Sequence, residues 1–344
     1  MAPLITLPPA GRQDQQNGDD MHQRRLIAGG ALAALLSLAV GTAQAQDFPP
    51  KKPVVMVVGF AAGGSADIAA RIIAKKLGEN IGQSVVVENK PGAGGNLAHT
   101  QVANGPSDGS VLLFGSIGPL AIAPHFMKIG YDPLKDLAPI TMGVNFPNVL
   151  VVPAATGIKT LGEYVAKARR EPGKLDFAST GPGSASHLAG ELLNDVAKID
   201  TLHVPYKGGA PALQDVLGNR VTSFYAAPPT ALPHIESGKL IPLATTGLTR
   251  PAYLPNVPTV AESFPGFNAT NWYAFVASAK TPKPLLDRWN TELVKVLNTP
   301  EVRDNLLKHG QTAAPGTREE LGQFIAAEHA KWGRIIRERK ITAD

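Results

Sequence analysis

Two glycine-rich segments combine the residue types that are suited to holding an anion. The first runs from Phe60 to Asp67 (FAAGGSAD) and the second from Thr180 to His187 (TGPGSASH), and each lies between an apolar run and a helical pattern. Glycine lets the backbone turn tightly and approach a ligand closely. The first turn of the following helix offers free N–H groups and a partial positive charge. The two loops therefore predict a cradle for a carboxylate, with one loop on each side of a cleft.

Several residues of these loops also have a structural interpretation. Asp67 lies in the first turn of its helix, where it would complement the helix dipole or hold the loop or a water molecule. Ser184 or Ser186 would serve as an N-cap. His187, taken alone, is better explained as a packed or capping residue than as a ligand-binding residue.

Two further segments leave both interpretations open. Residues 85–95 end in Gly92-Ala93-Gly94-Gly95 before a short helical pattern, which suits either a structural turn or ligand contact. Residues 203–209 place Tyr206 and Lys207 at the end of a predicted strand, where they would line a cleft or lie in solvent or core.

Sequence signatures of enzymes are missing from the chain. It has no Gly-Lys-Ser/Thr phosphate loop, no Gly-x-Ser-x-Gly elbow, no HExxH among its eight histidines and no cysteine. An exported hydrolase would have to use Ser184 or Ser186 with His187, and neighbours at a helix start rarely have the geometry for proton transfer. The basic residues are spread out, which argues against nucleic-acid binding. We expect a binding protein without catalytic residues, metal or cofactor.

Short apolar runs alternate with helical patterns along the chain. Strands are predicted at Val54–Val58, Ser84–Glu88, Val111–Gly115, Asn148–Val152, Leu175–Ala178, Leu202–Tyr206, Val221–Tyr225, Leu240–Thr245 and Asn271–Ser278. Helices are predicted at Asp67–Leu77, Asn96–Ala103, from Thr160 onward, and at His187–Val196, Lys283–Leu297, Glu301–His309 and Thr317–Arg337, with capping boxes opening at Thr160 and Thr317. The alternation predicts a mainly parallel α/β arrangement, and two such sections followed by helices predict two domains.

The N-terminal region predicts export. Arg24 and Arg25 precede an apolar run, Leu26–Val40, and the small-x-small pattern Ala43-Gln44-Ala45 follows. This is typical of a secretory signal peptide cleaved after Ala45, because the run is too short to span a bilayer comfortably. Met21, rather than Met1, is the expected start. No cysteine follows the cleavage site, so no lipid anchor is expected.

The composition agrees with a soluble, exported protein. The 344 residues are 44% hydrophobic and 18% charged, as in folded domains, and a cysteine-free chain must be stabilised by its core alone. The formal net charge of +5 remains unchanged without residues 1–45, and it weakly favours an anionic ligand.

Several motifs occur together in one order. They are Ala62 to Asp67, Val86 to Gly95, Gly181 to Leu188, His203 to Gly208, Gly238-Lys239-Leu240, Arg250, and Val257 to Glu262. Taken together they resemble the extracytoplasmic solute-binding proteins of tripartite tricarboxylate transporters, also called the Bug family, over essentially the whole mature chain. Ser263 departs from the glycine that members often carry after the glutamate.

The resemblance implies an α/β fold of the two-domain periplasmic binding protein type, type II-like with two crossovers and a ligand cleft between the domains. It places domain one at residues 47–147 plus 275–344 and domain two at 148–274. It also implies a periplasmic monomer that captures a small carboxylate by domain closure and docks on the membrane subunits of a transporter. The implied ligands are di- or tricarboxylates, aromatic acids or acidic amino acids. A ligand-presenting subunit of a signalling system is the alternative.

The resemblance and the loops together give a set of candidate ligand-binding residues. From the loops these are Phe60, Ala61, Ala62, Gly63, Gly64, Ser65, Asp67, Thr180, Gly181, Gly183, Ser184, Ser186 and His187. Ser116, Asn145, Tyr206 and Trp272 are candidates for ligand selectivity, with ordinary packing as the alternative for each.

Overall fold

A computed structural model describes residues 48–125 and 127–342, together with Pro3. The predicted signal peptide, from Arg24 to Ala45, lies outside these residues. The strands are β1 (Val54–Val58), β2 (Val85–Asn89), β3 (Val111–Ser116), β4 (Leu137–Pro147), β5 (Val149–Pro153), β6 (Asp176–Ser179), β7 (Leu202–Pro205), β8 (Ser223–Ala226), β9 (Leu240–Thr245), β10 (Thr270–Ser278) and β11 (Thr312–Ala313).

Helices connect most of these strands. They are α1 (Ser65–Ile81), α2 (Asn96–Ala103), α3 (Leu161–Arg170), α4 (Ala185–Ala197), α5 (Gly209–Leu217), α6 (Pro228–Glu236), α7 (Val260–Ser263), α8 (Lys283–Leu297), α9 (Pro300–Lys308) and α10 (Arg318–Arg339). A π-helical turn, Gly118–Ile122, follows β3. Within the residues described above, no helix is both long enough and apolar enough to cross a membrane.

The strands form two sheets. One has six strands in the order β11-β4-β10-β3-β1-β2, and the other has five in the order β7-β6-β8-β5-β9. Strands β1, β2 and β3 pair in parallel, as do β6, β7 and β8. Strands β10, β4 and β11, and likewise β5 and β9, join by antiparallel pairing. The expected mainly parallel arrangement is found only in part. Strands β10 and β11 run against the other strands of the first sheet, and β5 runs against the other strands of the second, so both sheets are mixed.

Local sequence determines where the helices begin. Thr317 and Glu320 form the predicted capping box at the start of α10, with both reciprocal hydrogen bonds present. Thr160 caps α3 by accepting from the Glu163 N–H at 3.1 Å. The Glu163 carboxylate instead accepts from Lys159 N at 2.6 Å, so the second predicted box is half formed.

The two sheets share part of their core. Helices α1 and α8 cover one face of the six-stranded sheet, where Trp289 packs among apolar residues of β1, β3 and β10. A second cluster contains residues of both sheets, among them Leu113, Leu150 and Phe177, together with residues of α10. This continuous apolar contact joins the two lobes, each built on one sheet.

The chain passes between the sheets twice. Asn148 alone separates β4 from β5, and the return connects β9 to β10. Strand β10 belongs entirely to the six-stranded sheet, so the domain boundary expected at residues 274/275 falls inside a strand.

Candidate functional site

The first glycine-rich loop is held by the carboxylate of Asp67. Its Oδ2 accepts from the Gly63 N–H at 3.0 Å, and Arg71 Nε donates to the same carboxylate at 3.0 Å. Arg71 also reaches Asn89, whose Nδ2 donates to Phe60 O at 3.0 Å. Burial raises the pKa of Asp67, but hydrogen bonds from Arg71, Gly63 and Asn89 outweigh it and lower the pKa overall. Asp67 therefore fixes the loop in addition to complementing the helix dipole.

The second loop is held by serine hydroxyls. Ser184 is the N-cap of α4 and accepts from the His187 N–H at 3.3 Å. Ser186 Oγ accepts from Thr180 N at 2.9 Å and lies 3.1 Å from Ser184 Oγ. Both predicted N-cap candidates therefore shape the loop, and Ser184 is the cap.

Two stacked histidine rings support the second loop. The rings of His187 and His203 are 3.9 Å apart, and His187 Nδ1 accepts from the Gly183 N–H at 3.2 Å. His203 Nε2 lies 2.5 Å from Ser179 Oγ, which accepts from the Gly181 N–H. Burial, with the nearby His203 ring, lowers the pKa of His187 to about 3. The neutral ring keeps Nδ1 as an acceptor, so His187 positions the loop.

The N-termini of two helices meet at one cavity between the lobes. It is lined by Gly64, Ser65 and Ala66 at the start of α1 and by Ser184, Ala185 and Ser186 at the start of α4. The first N–H groups of a helix have no intrahelical acceptor, and they carry a partial positive charge. The two helices of 17 and 13 residues therefore direct their positive ends at the same space.

The cavity is small and bears no formal charge. Its volume is about 30 Å³, while one water molecule needs about 10–15 Å³ on the same scale. The remaining lining residues are Phe60, Ser116, Ile117, Asn148, Thr180, Gly209, Phe224, Tyr225, Ala227, Thr230, Asn271 and Tyr273. Among the described residues that line it, none is Asp, Glu, Lys, Arg or His.

Strand β10 and the first crossover form one wall of the cavity. Tyr273 is the antiparallel partner of Ser116, and Asn271, two residues earlier, faces the same side. Asn271 Nδ2 donates to Asn148 Oδ1 at 3.3 Å. The wall is polar and uncharged.

The rim of the cleft is closed by backbone contacts between the lobes. Ala61 N donates to Lys207 O at 3.1 Å. A Cβ added to Gly94 would lie 2.1 Å from Pro182 O, and one added to Gly118 would lie 2.6 Å from Gly183 O. Glycine is therefore required where the two lobes approach most closely, and the cleft is in a closed arrangement.

Comparison with known proteins identifies the family. Residues 69–341 match the family described as "Tripartite tricarboxylate transporter family receptor", TctC. The chain belongs to this family. Members of this receptor family bind solutes and are not enzymes, which removes the hydrolase alternative. The resemblance to the Bug family is confirmed, as is the two-domain periplasmic binding fold.

Individual members show how closely this TctC receptor matches its relatives. It is 34% identical over 315 residues to Protein BugT of Bordetella pertussis, covering 89% of this chain and 97% of BugT. The structure of R. palustris Rpa4515 with adipate matches with a TM-score of 0.82 and 31% identity, covering 86% of this chain and 99% of that one. MatC from Rhodopseudomonas palustris with bound malate matches with a TM-score of 0.80 and 31% identity, covering 83% and 99%.

The predicted site residues of the receptor fall into three groups. Those lining the cavity are Phe60, Gly64, Ser65, Ser116, Thr180, Ser184 and Ser186. Those holding or flanking its loops without lining it are Ala61, Ala62, Gly63, Asp67, Gly181, Gly183, His187 and Tyr206. Tyr206 is directed elsewhere, because its hydroxyl donates to Asp215 Oδ2 at 2.7 Å.

The third group, Asn145 and Trp272, lies outside this cavity. The two residues are cross-strand partners and line a separate pocket of about 470 Å³, where Trp272 is buried and packs edge-on against Phe324. Side chains alternate between the faces of a strand, so Asn271 and Tyr273 face the cavity and Trp272 faces away. Asn145 and Trp272, which we expected beside the two loops, therefore do not line the cavity that the loops form.

Much of the cavity lining was not predicted from the sequence. The unpredicted residues are Ala66, Ile117, Asn148, Ala185, Gly209, Phe224, Tyr225, Ala227, Thr230, Asn271 and Tyr273. Ala66 and Ala185 adjoin predicted residues at the two helix starts, which is a usable signal. Asn148 and Asn271 lie next to the crossovers, and no local pattern marks them.

Proposed function

We propose that this receptor captures a small carboxylate in the periplasm by closure of its two lobes and delivers it to the membrane subunits of a tripartite tricarboxylate transporter. The observation that carries the proposal is the cavity bounded by the N-termini of α1 and α4. In this proposal the two lobes act as domains, the signal peptide that ends at Ala45 directs export, and the mature protein works as a monomer.

The chemistry of the cavity favours an anion. Backbone N–H groups at a helix start stabilise a carboxylate without a cationic side chain. The hydroxyls of Ser65, Ser184 and Ser186 add donors, and hydrogen bonds to a charged group are stronger than those between neutral groups.

Solved relatives support the ligand class. The two solved relatives were determined with adipate and with malate, and both ligands are dicarboxylates. A ligand that contacts both lobes stabilises the closed arrangement by its differential affinity for that state. Because the closed cavity is small, compact acids should bind better than bulky aromatic acids.

The test is thermal unfolding of mature protein, refolded to remove any retained ligand, with mono-, di- and tricarboxylates, aromatic acids, amino acids and nicotinamide. An acid present at about 100 times its Kd should contribute about 2.7 kcal/mol, which corresponds to a Tm rise of about 5 °C. Stabilisation by nicotinamide alone, or by no acid, would contradict the proposal.

A charge variant tests the location of the site. Ala185→Asp places a carboxylate at the start of α4 inside the cavity, and it should abolish stabilisation by the acid through repulsion. Gly162→Asp places the same charge in the exposed first turn of α3 and should leave binding unchanged. Equal effects of the two substitutions would argue against the cavity as the binding site.

A further inference from the structure

Two buried polar atoms in the cavity wall have no hydrogen-bond partner among the described residues. They are Ser116 Oγ and Asn148 Nδ2. Their residues are 3% and 1% exposed, and both line the cavity. A buried donor without a partner is costly, so these atoms are placed to bind something that enters the cavity.

The orientation of the Asn148 amide follows from a chain of hydrogen bonds. The backbone N–H of Trp272 can only donate, and it donates to Asn271 Oδ1 at 2.8 Å. Asn271 therefore presents Nδ2 to Asn148, which accepts through Oδ1 at 3.3 Å. Asn148 is thereby left with its Nδ2 donor for the cavity.

Thr246 fixes the backbone on which this amide stands. Asn148 N donates to Thr246 Oγ1 at 2.9 Å, and Thr246 N donates to Asn148 O at 2.9 Å. Asn148 is the single residue between β4 and β5. Its side chain is therefore anchored at the crossover and presents a fixed donor.

We propose that Asn148 Nδ2 and Ser116 Oγ bind a second acceptor end of the ligand, so that the receptor selects small dicarboxylates over monocarboxylates and over amino acids. This inference rests on the proposed function, in which the helix N-termini hold the first carboxylate. The second end of the ligand meets two neutral donors, Asn148 Nδ2 and Ser116 Oγ, and such donors favour a carboxylate oxygen.

The lining of the cavity should also disfavour amino acids. An ammonium group needs a carboxylate or several acceptors when it leaves water. Within the described part of the chain, no acidic side chain lines the cavity, and the partial charges of the helix N-termini are positive. An α-ammonium group is therefore unfavourable here.

The experiment compares acids that differ by one group, using calorimetric titration of the mature, refolded protein. The pairs are succinate with butyrate, glutarate with pentanoate, and adipate with hexanoate, and the amino acids are aspartate and glutamate. At the chain length that binds best, we expect the dicarboxylate to bind at least tenfold more tightly than its monocarboxylate and than the amino acid.

Substitutions test whether Asn148 Nδ2 and Ser116 Oγ bind the second carboxylate of the ligand. These two groups are called the second anchor. Asn148→Leu removes the donor without adding a charge, and it should weaken dicarboxylate binding at least tenfold while changing monocarboxylate binding less than threefold. Ser116→Ala should weaken dicarboxylate binding severalfold, and Asn145→Leu, the same change on the exposed face of β4, should have no effect.

The outcomes separate the two proposals. If no acid binds, the proposed function fails. If mono- and dicarboxylates bind equally to the wild type, or lose affinity equally in Asn148→Leu, the second anchor is overturned while carboxylate capture stands. Should Asn148→Leu not fold, the wild-type pairs and Ser116→Ala still decide whether a second carboxylate is bound.

Discussion

Replacing Gly118 by alanine should prevent full closure of the cleft. Gly118 lies at the start of the π-helical turn after β3, and its backbone is outside the positive-φ region. Alanine is therefore compatible with the local conformation. An added Cβ would lie 2.6 Å from Gly183 O and 3.1 Å from Ser184 Cα in the other lobe, so the substitution acts on the contact between lobes.

The size of the effect follows from these distances. Real Cβ contacts shorter than 3.0 Å essentially do not occur, so the lobes must separate by at least about 0.4 Å at this point. Donors on the second lobe then fall short of a ligand held by the first, because hydrogen bonds weaken beyond about 3.2 Å. The loss of one charge-assisted hydrogen bond costs about 1.5–3 kcal/mol, which corresponds to roughly 10–150-fold weaker binding.

The assay measures the Kd of the best acid by calorimetry and the Tm with and without it. Without ligand, Gly118→Ala should unfold within about 2 °C of the wild type, because the change lies within one lobe. Gly162→Ala is the matched control, since that glycine is in helix α3 and an added Cβ would meet nothing closer than 3.9 Å. A Kd within twofold of the wild type would refute the closure argument, and so would a large fall of the unliganded Tm.

Three further substitutions test the surroundings of the site. Asp67→Ala removes the hydrogen bonds that the carboxylate accepts from Gly63 and Arg71, so urea unfolding should show a loss of about 1–3 kcal/mol, and Asp67→Asn should lose less; equal losses would contradict the hydrogen-bond argument. Gly190→Ala would bring a Cβ to 2.3 Å from the Phe177 ring, and should cost about 1–3 kcal/mol through overpacking, partly restored by Phe177→Leu. Burial lowers the pKa of His99 from 6.5 to about 4, so the folded state resists its protonation and stability falls as the pH drops from 6.5 towards 4. His99→Gln should reduce the slope of this part of the pH profile of the free energy of unfolding, and an unchanged slope would exclude a contribution from His99.

Elements with a strong local signal were predictable from the sequence. Strand Val54–Val58 and helices Asn96–Ala103 and Lys283–Leu297 lie at their predicted bounds, because an apolar β-branched run or an amphipathic period determines each. Strand β4 was missed, since Pro139, Gly143 and Pro147 interrupt its pattern. Its eleven residues are held in the sheet by β10, which follows more than a hundred residues later.

The parts of the site that are formed by a single continuous segment were predictable from the sequence. The two glycine-rich loops carry their own helix starts, so the residues at the helix N-termini were found. The wall formed by β10 and the first crossover depends on which face of β10 meets the cavity. Trp272 was chosen and its neighbours Asn271 and Tyr273 were not, because β10 is buried along nearly its whole length and alternation alone does not distinguish its faces.

The glycine-lined rim has a consequence for the energetics of capture. Where the lobes meet at Gly94, Gly118 and Gly208, one main chain lies against the other, and few long side chains need to be immobilised. Fixing a flexible side chain at an interface costs about 0.5–1.5 kcal/mol of conformational entropy. An interface without such side chains avoids much of that cost, so less of the binding free energy of the ligand is lost to closing the cleft.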